Sequence, residues 1–132
     1  MTYLLDVNAL LALAHASHEL HERVESWVRR LDRDDRLATC AITELGFVRI
    51  GPQARLSPGV DRSVELLSAL KRSRRIRFAL LEDRLGCEAL PAWAMSPAQT
   101  TDGHLAALAR SQGARLASLD EGIPEAFLIP QG

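Results

Sequence analysis

The chain has 132 residues, the usual size of one domain, and 47% of them are hydrophobic, which is enough for a buried core. Its 16 basic and 17 acidic residues give a net charge of -1, so a nucleic acid or an anionic membrane would have to be bound by a local patch. The two cysteines exclude a disulfide scaffold, and we expect neither a signal peptide nor a membrane-spanning segment. We expect a single cytoplasmic domain spanning residues 1–132.

The first strand is expected at Tyr3, Leu4 and Leu5, a short apolar run that ends directly on Asp6. A helix over residues 7–14 follows, with Asp6 or Asn8 as its cap. In open α/β sheets, ligands bind beyond the carboxyl ends of the strands, so Asp6 is expected to face a crevice.

The rest of the chain alternates between helical and strand patterns. The predicted helices cover residues 18–31, 42–50, 60–70 and 97–112, and the predicted strands cover 37–41, 78–81, 116–119 and 127–129. Ser17 is expected to cap the helix that follows it, and Gly51-Pro52 to end the helix that precedes it. Residues 82–96 are irregular and predict at most one short helix.

Strands separated by helices favour right-handed crossovers, which predict an α/β fold with a central, mostly parallel sheet flanked by helices. Asp6 and Asp120 both follow predicted strands and would lie at the same edge of that sheet. Glu44 and Asp102 lie near the starts of helices and can approach the same edge. Four carboxylates with no lysine beside them would suit Mg²⁺ or Mn²⁺ and metal-assisted attack on a phosphate. The alternative is that these acids are helix caps and surface charges.

Four acidic motifs resemble those of PIN-domain ribonucleases, and in particular VapC-type toxins of bacterial toxin-antitoxin pairs. They are Leu4-Leu5-Asp6-Val7-Asn8, Thr43-Glu44-Leu-Gly-Phe-Val-Arg49, Thr101-Asp102 with Leu-Ala-Ala-Leu-Ala after it, and Leu116-Ala-Ser-Leu-Asp120. The resemblance implies a PIN-like fold and Mg²⁺- or Mn²⁺-dependent RNA cleavage by Asp6, Glu44, Asp102 and Asp120, with the three aspartates as metal ligands. It also implies inhibition by a cognate antitoxin and dimerisation. The chain differs from the family at Ser118, where threonine is usual, and after Asp120, where Gly122 and Ile123 replace the usual aromatic residue.

Other readings of the sequence remain open. A catalytically silent PIN-fold module that binds RNA or protein is compatible with the same motifs, because a fold does not guarantee its activity. A metal-independent ribonuclease would use His104 as a base, although the sequence identifies no acid partner for it. A receiver domain is disfavoured because it needs an acidic pair after the first strand and a late lysine, whereas the only lysine is Lys71.

Two clusters outside the acidic motifs carry weaker signals. His15, His18 and His21 recur every three residues, which allows zinc ligation but favours solvent-facing rings at a helix start. The basic run from Lys71 to Arg77 could contact RNA phosphates or serve as cations at a helix carboxyl end.

Overall fold

The structure, a computed structural model, describes residues 1–132. Its strands are β1 (Thr2–Leu5), β2 (Arg36–Cys40), β3 (Arg77–Leu81), β4 (Arg115–Ser118) and β5 (Phe127–Leu128). Its helices are α1 (Val7–Ala14), α2 (His21–Arg29), α3 (Ala41–Gln53), α4 (Val60–Lys71) and α5 (Thr100–Ser111), with short 3₁₀ turns at Cys87–Ala89 and Pro97–Gln99. No helix is long and apolar enough to span a membrane.

The five strands form one sheet in the order β3-β2-β1-β4-β5, and every neighbouring pair is parallel. This confirms the predicted α/β fold class. In the central strand, Leu4 pairs in register with Ala38 on one side and Leu116 on the other. Since all strands run in the same direction, their carboxyl ends lie along one edge, where β1 and β4 end side by side.

Each face of the sheet is covered by helices. Successive side chains of β1 point to opposite faces, so Leu5 packs in a cluster with residues of α1 to α4, whereas Leu4 packs in a second cluster with residues of α5. Both leucines are fully buried. Burial of such side chains contributes about 1.5–3 kcal/mol each, so the end of β1 that carries Asp6 is held by two well-buried leucines.

Two predicted helix boundaries are wrong. α2 begins at His21, and Leu20 rather than Ser17 is its N-terminal flanking residue, without a side-chain cap. The reason is a tight turn before the helix, in which the backbone N–H of Leu20 donates to Nδ1 of His18 at 3.0 Å.

α3 also continues through Gly51 and Pro52 to Gln53 instead of ending at Gly51. Gly51 is buried against α4, and a Cβ there would lie only 3.0 Å from Oγ of Ser63. Pro52 lies in the last turn, so the helix loses a single backbone donor there, and Ala54 N–H still donates to the carbonyl of Ile50 at 2.8 Å.

Candidate active site

Asp6 lies at the carboxyl end of β1 and is the N-cap of α1. Its Oδ1 accepts the backbone N–H of Ala9 at 2.8 Å, and its Oδ2 accepts the Oγ–H of Ser118. Only 7% of Asp6 is exposed. Burial raises the pKa of this carboxyl, the two hydrogen bonds oppose the rise, and nearby Asp102 and Asp120 add to it. The carboxylate is therefore fixed in orientation and destabilised in its charged form.

Ser118 connects Asp6 to Asp120. Besides donating to Asp6, its fully buried Oγ accepts the backbone N–H of Asp120 at 2.9 Å. Asp120 in turn accepts the backbone N–H of Gly122 at 2.7 Å through Oδ1. Ser118 thus supplies one hydroxyl that fixes the side chain of Asp6 and the backbone of Asp120.

Asp102 reaches the same edge from the other face of the sheet, in the first turn of α5. Its pKa is raised by burial first and then by the negative charge of Asp120. Burial and the neighbouring carboxylates therefore oppose the charged forms of Asp6 and Asp102, and neither has a cation paired to it.

The three aspartates line one cavity of about 420 Å³ at the carboxyl edge of the sheet. Its other polar lining includes Asn8, Arg49 and Thr101, and Arg49 is the only cationic residue among them. The predicted convergence of carboxylates therefore holds for the three aspartates. The cavity is negative, with one positive side chain available to meet a phosphate.

Glu44 does not line this cavity. Its Oε2 accepts hydrogen bonds from Oγ1 of Thr39 and Nζ of Lys71, both at 2.6 Å. It lines a neighbouring cavity of about 620 Å³ between the start of α3 and the end of β3. The prediction that no lysine accompanies the acids is wrong at Glu44, because the carboxyl end of α4 brings Lys71 to it.

Asn8 is a polar residue of the cavity that sequence reasoning considered only as a helix cap. Nδ1 of His18 accepts the N–H of Leu20, so Nε2 carries the proton and donates to Oδ1 of Asn8 at 3.2 Å. The amide nitrogen of Asn8 has no protein partner and is a donor available to a ligand in the cavity. A contact between residues ten positions apart across a turn leaves no periodic signal in the sequence.

The three histidines lie in separate environments. His15 is buried and stacks on Phe47 with ring centroids 5.4 Å apart, and Nδ1 of His21 is 2.8 Å from the carbonyl of Ala12. The rings are thus engaged in three different contacts rather than turned towards a common point.

The aspartates have the donor chemistry for a hard divalent cation. Mg²⁺ and Mn²⁺ prefer carboxylate oxygen, and Mg²⁺ usually takes one or two carboxylates and keeps several waters. No three His, Cys, Asp or Glu side chains are close enough to enclose an ion directly. The site therefore fits a cation that is bound partly through water, and its unbalanced negative charge favours one.

The PIN domain family model matches residues 3–127 of the chain. Three ribonucleases of Mycobacterium tuberculosis are similar to this chain over most of their own length. VapC38 is 37% identical, covering 91% of the chain and 86% of the relative; VapC44 is 37% identical (93% and 89%), and VapC29 is 35% identical (98% of each).

Two solved structures share the fold at lower identity. One is Mycobacterium tuberculosis VapC20, a toxin that cleaves the sarcin-ricin loop, with a TM-score of 0.67 and 12% identity over 98% of this chain and 99% of that one. The other is VapBC2 of Rickettsia felis bound to a DNA fragment from its promoter, with a TM-score of 0.61 and 14% identity over 97% of each chain. From the family match and the similar sequences, the chain belongs to the PIN domain family and, within it, to the VapC ribonucleases.

Proposed function

We propose that the protein is a cytoplasmic, Mg²⁺- or Mn²⁺-dependent endoribonuclease that acts as the toxin of a toxin-antitoxin pair. The observation that carries the proposal is the convergence of Asp6, Asp102 and Asp120, from three separate elements, on one cavity of a VapC-type fold. A phosphodiester is repelled by three carboxylates alone, so a divalent cation is needed to bring substrate and acids together.

The three aspartates would hold the cation, which supplies an activated water and stabilises charge on the phosphate. Asp6 is fixed for this task by two hydrogen bonds, so that little reorganisation is needed on binding. Arg49 and the amide of Asn8 are the donors in the cavity that could contact the phosphate of the scissile bond.

Glu44 is proposed as the fourth acidic residue of the reaction. Its carboxylate would have to exchange Lys71 for water or substrate, which costs little because both side chains are partly exposed, 26% and 31% respectively. Because Glu44 lies outside the cavity of the aspartates, its contribution to cleavage is expected to be smaller than theirs.

The partners in this proposal are an RNA substrate, a cognate antitoxin and a second copy of the chain. An arginine of the antitoxin is the natural inhibitor of the acidic cavity, since a guanidinium pairs bidentately with carboxylates. Replacing that arginine in the antitoxin should restore cleavage by the complex. Unchanged inhibition would count against this mode.

The second candidate is a catalytically silent PIN-fold module that binds RNA or protein. The ion pair between Glu44 and Lys71 favours this second candidate, because the charge of Glu44 is balanced by the lysine. Glu44 also lies outside the cavity that the three aspartates line. All four acids are nevertheless present, and the two candidates differ in a measurable reaction.

The test is to sequence the RNA ends produced by purified protein in Mg²⁺ and in EDTA. Attack by an activated water leaves 5′-phosphate and 3′-hydroxyl ends, since the ribose 2′-hydroxyl takes no part, and EDTA should stop cleavage. Cyclic 2′,3′-phosphate ends formed in EDTA would contradict the metal mechanism. Binding of RNA without any cleavage in Mg²⁺ or Mn²⁺ would support the silent module.

A further inference from the structure

The basic run of residues 71–77 is divided between two places in the fold. Lys71 lies against Glu44, whereas Arg77 begins β3 and pairs in register with Arg36 at the start of β2. The start of a parallel strand is the edge opposite to the aspartates. Most of this run therefore lies far from the acidic cavity.

At this amino edge, a groove of about 440 Å³ opens between the end of α2 and the segment before β3. Its charged lining consists of five arginines and two aspartates: Arg29, Arg33, Arg74, Arg75, Arg77, Asp32 and Asp35. Each of four other cavities in the protein has a single arginine. The groove is thus the place where cationic side chains concentrate in a protein of net charge -1.

The arginines are only partly neutralised. Glu25 is shared by two of them, with its Oε1 3.5 Å from Nε of Arg29 and 2.7 Å from Nη1 of Arg75. Arg75 and then Arg29 hold the pKa of Glu25 below its usual value, so this glutamate stays charged but balances one arginine. The guanidinium groups of Arg33 and Arg74 have no carboxylate partner.

The aspartates of the groove remove less positive charge than their number suggests. Asp35 already accepts the backbone N–H of Asp32 at 2.9 Å and the terminal ammonium of Met1 at 3.2 Å. Asp32 is the one carboxylate of the groove without a partner. An excess of cationic charge therefore remains.

Helix polarity explains only part of this cluster. Cations at a helix carboxyl end are stabilising, which accounts for Arg29 in the last turn of α2. Arg33, Arg74 and Arg77 lie beyond the helix ends, and their exposed side chains form no ion pair. Arg77 donates through Nη2 to the backbone carbonyl of Arg33 at 3.2 Å, and the guanidinium groups of Arg33 and Arg74 have no protein partner. Exposed guanidinium groups without a carboxylate partner are suited to bind phosphate oxygens.

We propose that this groove is a second RNA-binding site, which holds backbone phosphates of the substrate away from the position of cleavage. The inference rests on the proposed function, because it assigns RNA as the polyanion. An acidic cavity with one arginine supplies little affinity for RNA, so the binding energy has to come from elsewhere on the surface. The two sites are separated by at least the length of a strand, roughly 15 Å, so only an RNA that extends well past the scissile bond reaches both.

The test compares Arg33→Gln/Arg74→Gln with the matched control Arg55→Gln/Arg62→Gln, which removes the same charge from exposed positions near the start of α4. Binding of poly(U) is measured over a range of salt in EDTA, where cleavage is expected to stop. The groove variant should bind poly(U) about tenfold more weakly at low salt. The slope of log K against log[salt] is negative, and its magnitude should be smaller by about 1.4 in this variant. Each phosphate contact on a single strand accounts for about 0.7, and two arginines are replaced.

Arg33→Lys/Arg74→Lys should recover most of the affinity, since it restores the charge. Parent-like poly(U) binding by the glutamine variant would overturn the proposal, as would an equal loss of binding in the control variant. Binding of hexaglutamate that is tighter than that of poly(U) and lost in the groove variant would assign the groove to an acidic protein instead. Absence of cleavage in Mg²⁺ with intact poly(U) binding would refute the proposed function while leaving the groove in place.

Discussion

Ser118→Ala probes the hydrogen bonds that fix the acidic site. Ser118 is fully buried, donates to Oδ2 of Asp6 and accepts the N–H of Asp120 at 2.9 Å. Alanine removes one oxygen and leaves almost no cavity, so the effect is that of the lost hydrogen bonds. A hydrogen bond to a charged group is worth about 1.5–3 kcal/mol, and the N–H of Asp120, which is only part-buried, can turn to water instead. We expect the free energy of unfolding to fall by about 2 kcal/mol near pH 7.

The loss should depend on pH in a defined direction. The pKa of Asp6 is raised above its ordinary value of 3.8 mainly by burial, and the bond from Ser118 opposes that rise. Without the serine, the folded-state pKa rises further, so the native state holds more protons than the unfolded state over a wider interval. Stability then falls more as pH climbs through that interval. Below the unfolded pKa, Asp6 is protonated in both states, and the loss should shrink to about 1 kcal/mol, the value of a neutral hydrogen bond.

The assay is urea unfolding of both proteins near pH 7 and near pH 3, at fixed ionic strength. Ser63→Ala is the matched control, because Ser63 is also fully buried but its Oγ bonds only to Oγ of Ser57 at 2.6 Å. Ser63→Ala should lower the free energy of unfolding by the same amount at both pH values. A loss for Ser118→Ala that is equal at both values, or larger in acid, would refute the role of Ser118 in stabilising the charged form of Asp6.

Further variants test the acids one by one. Asp6→Asn should abolish cleavage with an unchanged circular dichroism spectrum, because the amide oxygen still caps α1; full activity in an RNA cleavage gel would rule out its proposed role. Asp102→Asn should raise the melting temperature in EDTA near neutral pH, because the pKa of this carboxyl is raised by burial and by a neighbouring carboxylate. It should also reduce the stabilisation by Mg²⁺, which for the parent protein is about 1.4 kcal/mol when the free Mg²⁺ concentration is ten times Kd. A lower melting temperature in EDTA, together with an undiminished increase on adding Mg²⁺, would show that the aspartates do not share a site. Glu44→Gln should slow cleavage less than Asp102→Asn does, and the reverse ranking of single-turnover rates would contradict its place outside the cavity. Lys71→Gln should change stability by less than about 1 kcal/mol in thermal melts, since its ion pair is partly exposed; a larger loss would show that this pair is structural.

Much of the fold was predictable because its signals are local. The strand before Asp6 and the helix after it follow from a short apolar run and helical spacing, and both occur as predicted. The failure at Ser17 arises from a local turn, in which the backbone N–H of Leu20 donates to the His18 ring, whereas the failure at Gly51-Pro52 arises from a contact distant in sequence. The helix continues through Gly51 because α4 packs closely against it, which no local propensity records.

The residues of the site also divide into those whose positions follow from local signals and those whose positions depend on distant contacts. Asp6 and Asp120 were predictable neighbours, because parallel strands that end on an aspartate place it at a common edge. The direction of the Glu44 side chain was not predictable, because Thr39 and Lys71, from different elements, determine it. Periodicity shows which face of a helix is buried, but it does not show which hydrogen-bond partner a side chain in the first turn has.

The opposite charges at the two edges of the sheet follow from its topology. At the carboxyl edge of the sheet, α1 and α5 begin, and their partial positive ends stabilise Asp6 as the cap of α1 and Asp102 in the first turn of α5. At the amino edge, the partial negative end of α2 stabilises Arg29 instead. A chain of net charge -1 can thus have a strongly acidic cavity and a strongly basic groove without a conflict in its fold. Because the field of such a molecule changes sign from one edge to the other, an extended polyanion would be bound first at the basic edge, and its approach to the aspartates would depend on the cation that screens them.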